Sequence, residues 1–324
     1  MLKRKDFLLI LAALLFFYLI LYFKNPSIFT YKFDKKLIDR YMHSQDIYER
    51  IEGRVFISDS DIYIATGYLY AIGKDPTTFN FQHPPLVKYL FGLSAKYFGN
   101  PFYIQLLFAA LVIFLTYILG IKVFNRRVSV LAIMFLAIDP VFIRSTANAF
   151  LDLGQTAFSL LYLIFFLFFP SNWLLQGISL GLFLSSKFWS TALFFMLFLF
   201  GYKKFVLKDK FMLNTIIRSF LVGSVVFSFI YIVSFVKRSG LFNLPFFQLK
   251  MLKFMLQHNS ADVVGGSLVL FLTGYFSSWW RGGEVLRSEV WSFLWSVGFV
   301  TVLYGLKKNY QKISILLLYF PIFI

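Results

Sequence analysis

The sequence predicts an all-α, polytopic membrane protein, and three observations predict it. Of its 324 residues 59% are hydrophobic and only 15% charged, too apolar for the surface of a soluble domain. The apolar residues gather into runs that approach the roughly 20 residues a helix needs to cross a bilayer. Lysine and arginine collect in compact clusters between those runs, as they do in cytoplasmic loops. The net charge of +17 follows from the same clusters and from anionic headgroups, and makes no case for nucleic acid. Cysteine is absent, which excludes disulfides, thiolate chemistry and a cysteine metal site.

About nine membrane helices follow in order. The first is Phe7–Phe23. Its basic lead, Lys3-Arg4-Lys5, is like that of a signal peptide, but no small-residue cleavage site follows, so a retained helix is expected. Next come Phe102–Phe124 and four short segments, Val128–Ile143, Phe150–Phe169, Trp173–Ser186 and Phe188–Tyr202, with turns expected near 144–149, 170–172 and 187. Met212–Val236, Trp291–Leu306 and Ile313–Ile324 complete the set. Lys3-Arg4-Lys5, Lys122 with Arg126-Arg127, Lys203-Lys204 with Lys208 and Lys210, and Lys307-Lys308 with Lys312 all mark one side, read as cytoplasmic. Two long segments, about 24–100 and 237–289, then lie outside. Within them Ile62–Ile72, Leu86–Phe98 and Phe246–Leu256 are amphipathic, and Ser267–Phe276 is too short to span, so interfacial or re-entrant helices are expected. No repeat or linker divides the chain, and residues 1–324 read as a single membrane domain. The last helix runs into Ile324 without a polar cap, which points to a truncated family member.

Threaded this way, the chain's polar clusters converge on the outer side. Asp59 and Asp61 begin an amphipathic helix, where acidic residues serve either as N-terminal caps or as a general base poised at the membrane surface. His83-Pro84-Pro85-Leu86 lies 22 residues after Asp61. The prolines suit a stiff entry into a helix, while His83 is either structural or a binding group for phosphate, sugar or metal. Asp139 and Asp152 flank a short outer turn, at a depth where carboxylates are costly unless paired, with Arg144 the nearest candidate partner. Lys187 is either a snorkelling cation or a point charge on a lipid phosphate. Trp279-Trp280-Arg281 matches an interfacial aromatic belt, and equally a sugar-phosphate site in which indoles pack on a pyranose and guanidinium bridges phosphate oxygens.

These residues resemble the protein O-mannosyltransferases and related glycosyltransferases of the C-type (GT-C) fold, which take a sugar from a polyprenyl-phosphate donor. Asp61 and His83–Leu86 are similar to that family's acidic motif and its following His-Pro-Pro-Leu. Ile138-Asp139 and Leu151-Asp152 match its paired Leu-Asp steps, and Gly177 to Phe188 its Gly-rich helix ending in Ser-x-Lys-Trp. The likeness covers about residues 55–190, with a looser match at Ser277–Arg281. It departs where Asp61-Ile62 replaces Asp-Glu and Thr146-Ala147 replaces Ser-Arg. The large lumenal domains of eukaryotic members are missing, which leans towards prokaryotic relatives such as the transferases that place aminoarabinose on lipid A.

The resemblance implies an inverting transfer of mannose or a similar hexose from a polyprenyl-phosphate to a protein, lipid or glycan hydroxyl, outside the plasma membrane. Asp61 would take the acceptor proton and His83, Lys187 and Arg281 would hold the donor phosphate. Asp59, Asp139, Arg144, Asp152, Trp279 and Trp280 would shape the pocket. No cofactor is required by these residues, and a divalent metal near His83 is left open. The competing expectation is a transporter or flippase of lipid-linked sugars, disfavoured because the charges gather at one surface and no inverted repeat is evident.

Overall fold

The structure, a computed structural model, describes residues 3–47, 49–206, 208, 212–239, 242–257, 266–278 and 282–308. It is mostly helical. The first long helix, α1 (Arg4–Lys24), is followed by short α2 (Ser27–Thr30) and α3 (Lys36–Met42), then by the paired α4 (Asp59–Ala71) and α5 (Leu86–Phe98). Helices α6 (Phe102–Val123), α7 (Arg126–Ile138), α8 (Pro140–Ala147), α9 (Asp152–Phe168), α10 (Trp173–Leu184) and α11 (Trp189–Gly201) form the centre, and α11 closes with a π-helical turn at Tyr202–Val206. Then come α12 (Met212–Ile230), α13 (Ile232–Lys237), α14 (Leu244–Gln257), α15 (Gly266–Thr273), β1 (Tyr275–Ser278), β2 (Glu284–Arg287) and α16 (Phe293–Lys308).

Among the described residues, three helices are long and apolar enough to cross a membrane: α1, α6 and Leu213–Ile230 of α12. A fourth span arises if α7 and α8, bent by 58° to each other, form one broken crossing. Their break is chemical in origin: Asp139 caps α8 by accepting from the Phe142 amide at 2.9 Å, and Pro140 cannot continue α7's hydrogen-bond ladder. The expected turn at 144–149 is therefore mostly helix, and the bend falls earlier. Helices α9 and α10 and the Phe293–Gly305 part of α16 are apolar but shorter than a full span. The expected helix Ile313–Ile324 lies outside the described residues. The expected helical segment Ser267–Phe276 ends at Thr273, because Gly274 adopts φ 80° and turns the chain into an antiparallel hairpin with Tyr275 opposite Arg287 and Ser278 opposite Glu284.

The helices share a polarity. At one end, Arg126 pairs with Asp6 at 2.7 Å and the Tyr117 hydroxyl donates to the same carboxylate at 2.7 Å, joining the start of α1 to the α6–α7 turn. Lys122 lies 5.9 Å from the Phe168 ring and Lys203 4.6 Å from the Phe166 ring, which brings the end of α9 and the π-helical turn to that same end. The basic clusters between residues 3 and 204 thus gather together, as the charge pattern predicts. Asp152 starts α9 and Lys187 follows α10, so both belong to the opposite end. There α4 and α5 cross with backbones almost touching: a methyl on Gly92 would run into the carbonyl of Gly67, and one on Gly67 into that of Lys88.

Candidate active site

Four local anchors assemble a polar cluster at the end remote from the basic loops. Ser58 caps α4, its hydroxyl accepting from the Asp61 amide at 3.1 Å, which sets Asp59 as the first helical residue. Ser60 accepts from the Ala149 amide at 2.9 Å and so fastens the start of α4 to the α8–α9 loop, three residues before Asp152. Buried Gln105 orders that loop by reaching the carbonyls of Ser145, Asn148 and Phe150 at 3.1, 2.5 and 2.8 Å. Leu86, released from helical bonding by the two prolines before it, donates its amide to the Ser185 carbonyl at 3.2 Å and ties the start of α5 to the turn that carries Lys187.

The result is a charged constellation. Lys187 Nζ and Asp152 Oδ1 are 2.6 Å apart, with the lysine side chain largely covered and the aspartate half exposed. Asp59 remains open to solvent on one side yet lies in the field of both. Desolvation holds its carboxyl above the usual carboxylate range; Lys187 pulls the other way, and Asp46 and Asp152 add to the rise. His83 is buried beside them, its ring edge-on to Phe188 at 5.0 Å and to Tyr63 at 6.0 Å, and hydrogen-bonded to the Lys187 backbone. Burial, reinforced by the charges of Lys88 and Lys187, keeps the imidazole neutral, and its Nδ1 has no protein partner.

The structure thus brings together Asp59, Asp152, Lys187 and His83. It turns Asp61 elsewhere: two residues along a helix rotate a side chain by about 200°, and Asp61 lies in the field of Tyr31 together with Asp34 and Arg40. Asp139 is occupied by its cap and by the Trp295 indole, which donates to Oδ2 at 2.7 Å. Arg144 is exposed, and among the described residues it makes no ion pair; Asp152 takes Lys187 instead. Trp279, Trp280 and Arg281 lie outside the described residues.

Sequence reasoning missed the polar layer beneath. Asp46 accepts from Tyr41 at 2.8 Å, Asn80 at 3.0 Å and Gln82 at 3.0 Å. Lys88 is wholly buried, donating to the carbonyl and side-chain oxygens of Asn80 at 2.5 and 3.0 Å, between the rings of Tyr63 and Tyr70. Burial pushes its ammonium down to about 7, partly opposed by Asp46. The available signal was a lysine inside the apolar start of Leu86–Phe98, a segment read only as an amphipathic, interfacial helix. Among the described residues, no three His, Asp or Glu side chains are placed to hold one metal ion.

Further along α9 lies a mostly apolar cavity of about 740 Å³, lined among others by Thr156, Leu160, Val112, Phe135, Asp139 and Trp295. Thr156 stands one helical turn below Asp152, its hydroxyl bonded to the Asp152 carbonyl at 2.9 Å. The space lies between α6, α7, α9 and α16; its charged lining residue is Asp139, and Thr156 is its link along α9 to Asp152. No family profile, curated protein or solved structure matches this chain.

Proposed function

We propose that this chain is a GT-C-type glycosyltransferase that moves a hexose such as mannose from a polyprenyl-phosphate to an acceptor hydroxyl, with inversion, on the non-cytoplasmic face. The observation that carries the reading is the Asp59–Asp152–Lys187 cluster, with an apolar cavity one helical turn away along α9. A polyprenyl-phosphate sugar is an isoprenoid tail, an anionic phosphate and a neutral ring, and the site offers a partner for each part. The cavity suits the tail, Lys187 suits the phosphate and the carboxylates face the sugar. On this reading the more numerous membrane crossings expected from the sequence include the short helices α9, α10 and α11.

The reaction needs little beyond these groups. The acceptor oxygen attacks the anomeric carbon as its proton passes to a carboxylate, and the carbon–oxygen bond to phosphate breaks with its electron pair leaving on the polyprenyl phosphate. Lys187 offsets the charge that grows on that phosphate, so no strong general acid is needed. The motif spacing puts the base at Asp61; the geometry favours Asp59, which shares the field of Lys187 and whose raised proton affinity makes it the better acceptor. His83, neutral and fixed by Phe188 and the Lys187 backbone, acts as a hydrogen-bonding wall. The test is transfer of radiolabelled hexose from polyprenyl-phosphate hexose to water-soluble and lipid acceptors by the purified protein in nanodiscs. Movement of the donor across the bilayer without any transfer would support the flippase instead.

A further inference from the structure

Lys88 lies on α5 with its side chain wholly buried, and among the described residues it makes no ion pair. Lysine is almost never buried to this degree without a carboxylate, and where a buried charge serves packing alone an apolar side chain of similar volume often does as well or better. What holds the ammonium is a loop. It donates to the main-chain and side-chain oxygens of Asn80 at 2.5 and 3.0 Å, with the Tyr63 and Tyr70 rings of α4 at 5.9 and 5.7 Å. Asn80 sits at φ 40°, a left-handed backbone that asparagine tolerates when its surroundings hold it there. From the other side Asp46 accepts from the Asn80 and Gln82 amides, and the Tyr70 hydroxyl donates to the Phe79 carbonyl. The next residue is His83, which packs on Phe188 and bonds to the Lys187 backbone.

We propose that Lys88 is a positioning residue for the transfer site: its ammonium and the Asp46 carboxylate grip Asn80 from opposite sides, and that grip fixes the stretch from Phe79 to Gln82 that presents His83 to Lys187. The effect on catalysis rests on the transferase reading; the grip on the loop does not. An apolar side chain at this position would leave both Asn80 oxygens without the ammonium, and a strained turn with one hold fewer would sample other conformations. Charge matters as well as reach, because a hydrogen bond from an ammonium is roughly twice as strong as one from a neutral donor. The charged and titratable groups that face Lys88 are Asp46 from the α3–α4 segment, Tyr63 and Tyr70 from α4 and His83 from the loop. Asp46 favours the ammonium, while burial opposes it and brings its proton loss down to about 7. The grip therefore weakens as pH rises through neutrality.

The experiment uses the whole protein in nanodiscs and reads two quantities across pH. One is hydrogen exchange of peptides spanning residues 76–83, corrected for the intrinsic pH dependence of exchange; the other is hexose transfer from the polyprenyl-phosphate donor. At about pH 6, Lys88→Met should speed exchange of the loop about tenfold and lower transfer by about tenfold to a hundredfold, as a small misplacement near a reacting centre does. Asn80→Gly, which accepts the positive φ without strain but removes the side chain that joins Lys88 to Asp46, is the second variant and should move both readings the same way. In the parent the loop should loosen and the alkaline limb of kcat should fall near neutrality. Lys88→Arg, whose guanidinium keeps its charge, should move that limb up by more than about one pH unit. Loop exchange unchanged in both Lys88→Met and Asn80→Gly, a loosened loop with undiminished transfer, or an alkaline limb that stays in place in Lys88→Arg would overturn the proposal. If the parent transfers no hexose, the transferase reading fails and the exchange data alone decide whether Lys88 holds the loop.

Discussion

Asp59→Asn removes a proton acceptor while keeping the size of the side chain and most of its hydrogen bonding. If Asp59 is the base, transfer should fall by about 10² to 10⁴, the usual contribution of a general base, which corresponds to about 3 to 5.5 kcal/mol in the activation barrier. The structure adds two features that a mere cap would not show. Desolvation, with Asp46 and Asp152, holds the Asp59 carboxyl above the ordinary carboxylate range despite the pull of Lys187, so the acid limb of kcat/KM should lie above that of a free carboxylate. Asp46→Asn removes one repelling charge and should move that limb to lower pH. Linkage gives the second feature. A carboxyl whose folded pKa is raised favours its neutral form in the fold, so the wild type loses stability as pH rises through the unfolded and then the folded pKa. Asp59→Asn abolishes that loss, and its melting temperature at neutral pH should equal or exceed the parent's, whereas loss of a helix cap lowers it. Radiolabel transfer across pH and thermal melts in nanodiscs read both features. Full activity in Asp59→Asn with collapse in Asp61→Asn would return the base to Asp61 and refute the geometric argument.

The remaining predictions concern the donor, the fold and the topology. Lys187→Met keeps the aliphatic stem but removes the charge, so KM for the polyprenyl-phosphate donor should rise more than kcat falls; unchanged donor dependence would reduce Lys187 to a headgroup anchor. Thr156→Phe projects a ring into the apolar cavity below Asp152 and should raise KM for long-chain donors while sparing short-chain analogues, and equal effects on both would dissociate the cavity from the tail. Gly92→Ala drives a methyl into the Gly67 backbone, where no flexible side chain can yield, and should cost about 1–3 kcal/mol in a denaturation assay; a neutral result would mean that α4 and α5 are not so closely apposed. Single cysteines, informative because the natural chain has none, should react with an impermeant thiol reagent in intact cells at Lys36 and Gln257 but not at Lys208. Reaction at Lys208 would invert the topology.

Several features of this protein were legible in the sequence because they depend on composition and local rules. Apolar runs and basic clusters define helices such as α1, α6 and α12 and bring Arg126, Lys122 and Lys203 to one end, since no lysine or arginine is cheaply placed within lipid. The two aspartates forecast the start of α4, although Ser58, and neither of them, is its cap, and the paired prolines forecast the start of α5, because capping and proline geometry act over three or four residues. The grouping of Asp152 with Lys187 near His83 was anticipated only as a shared level in the membrane. Which carboxylate meets them was not, because Asp59 and Asp61 differ only by a helical rotation that is fixed by Ser60 bonding to the Ala149 amide, 89 residues away. Asp139 as an indole acceptor for Trp295 and the Asp46–Asn80–Lys88 layer likewise depend on groups that only the tertiary fold brings together. Composition decides where charge can be tolerated; only long-range packing decides which charges meet.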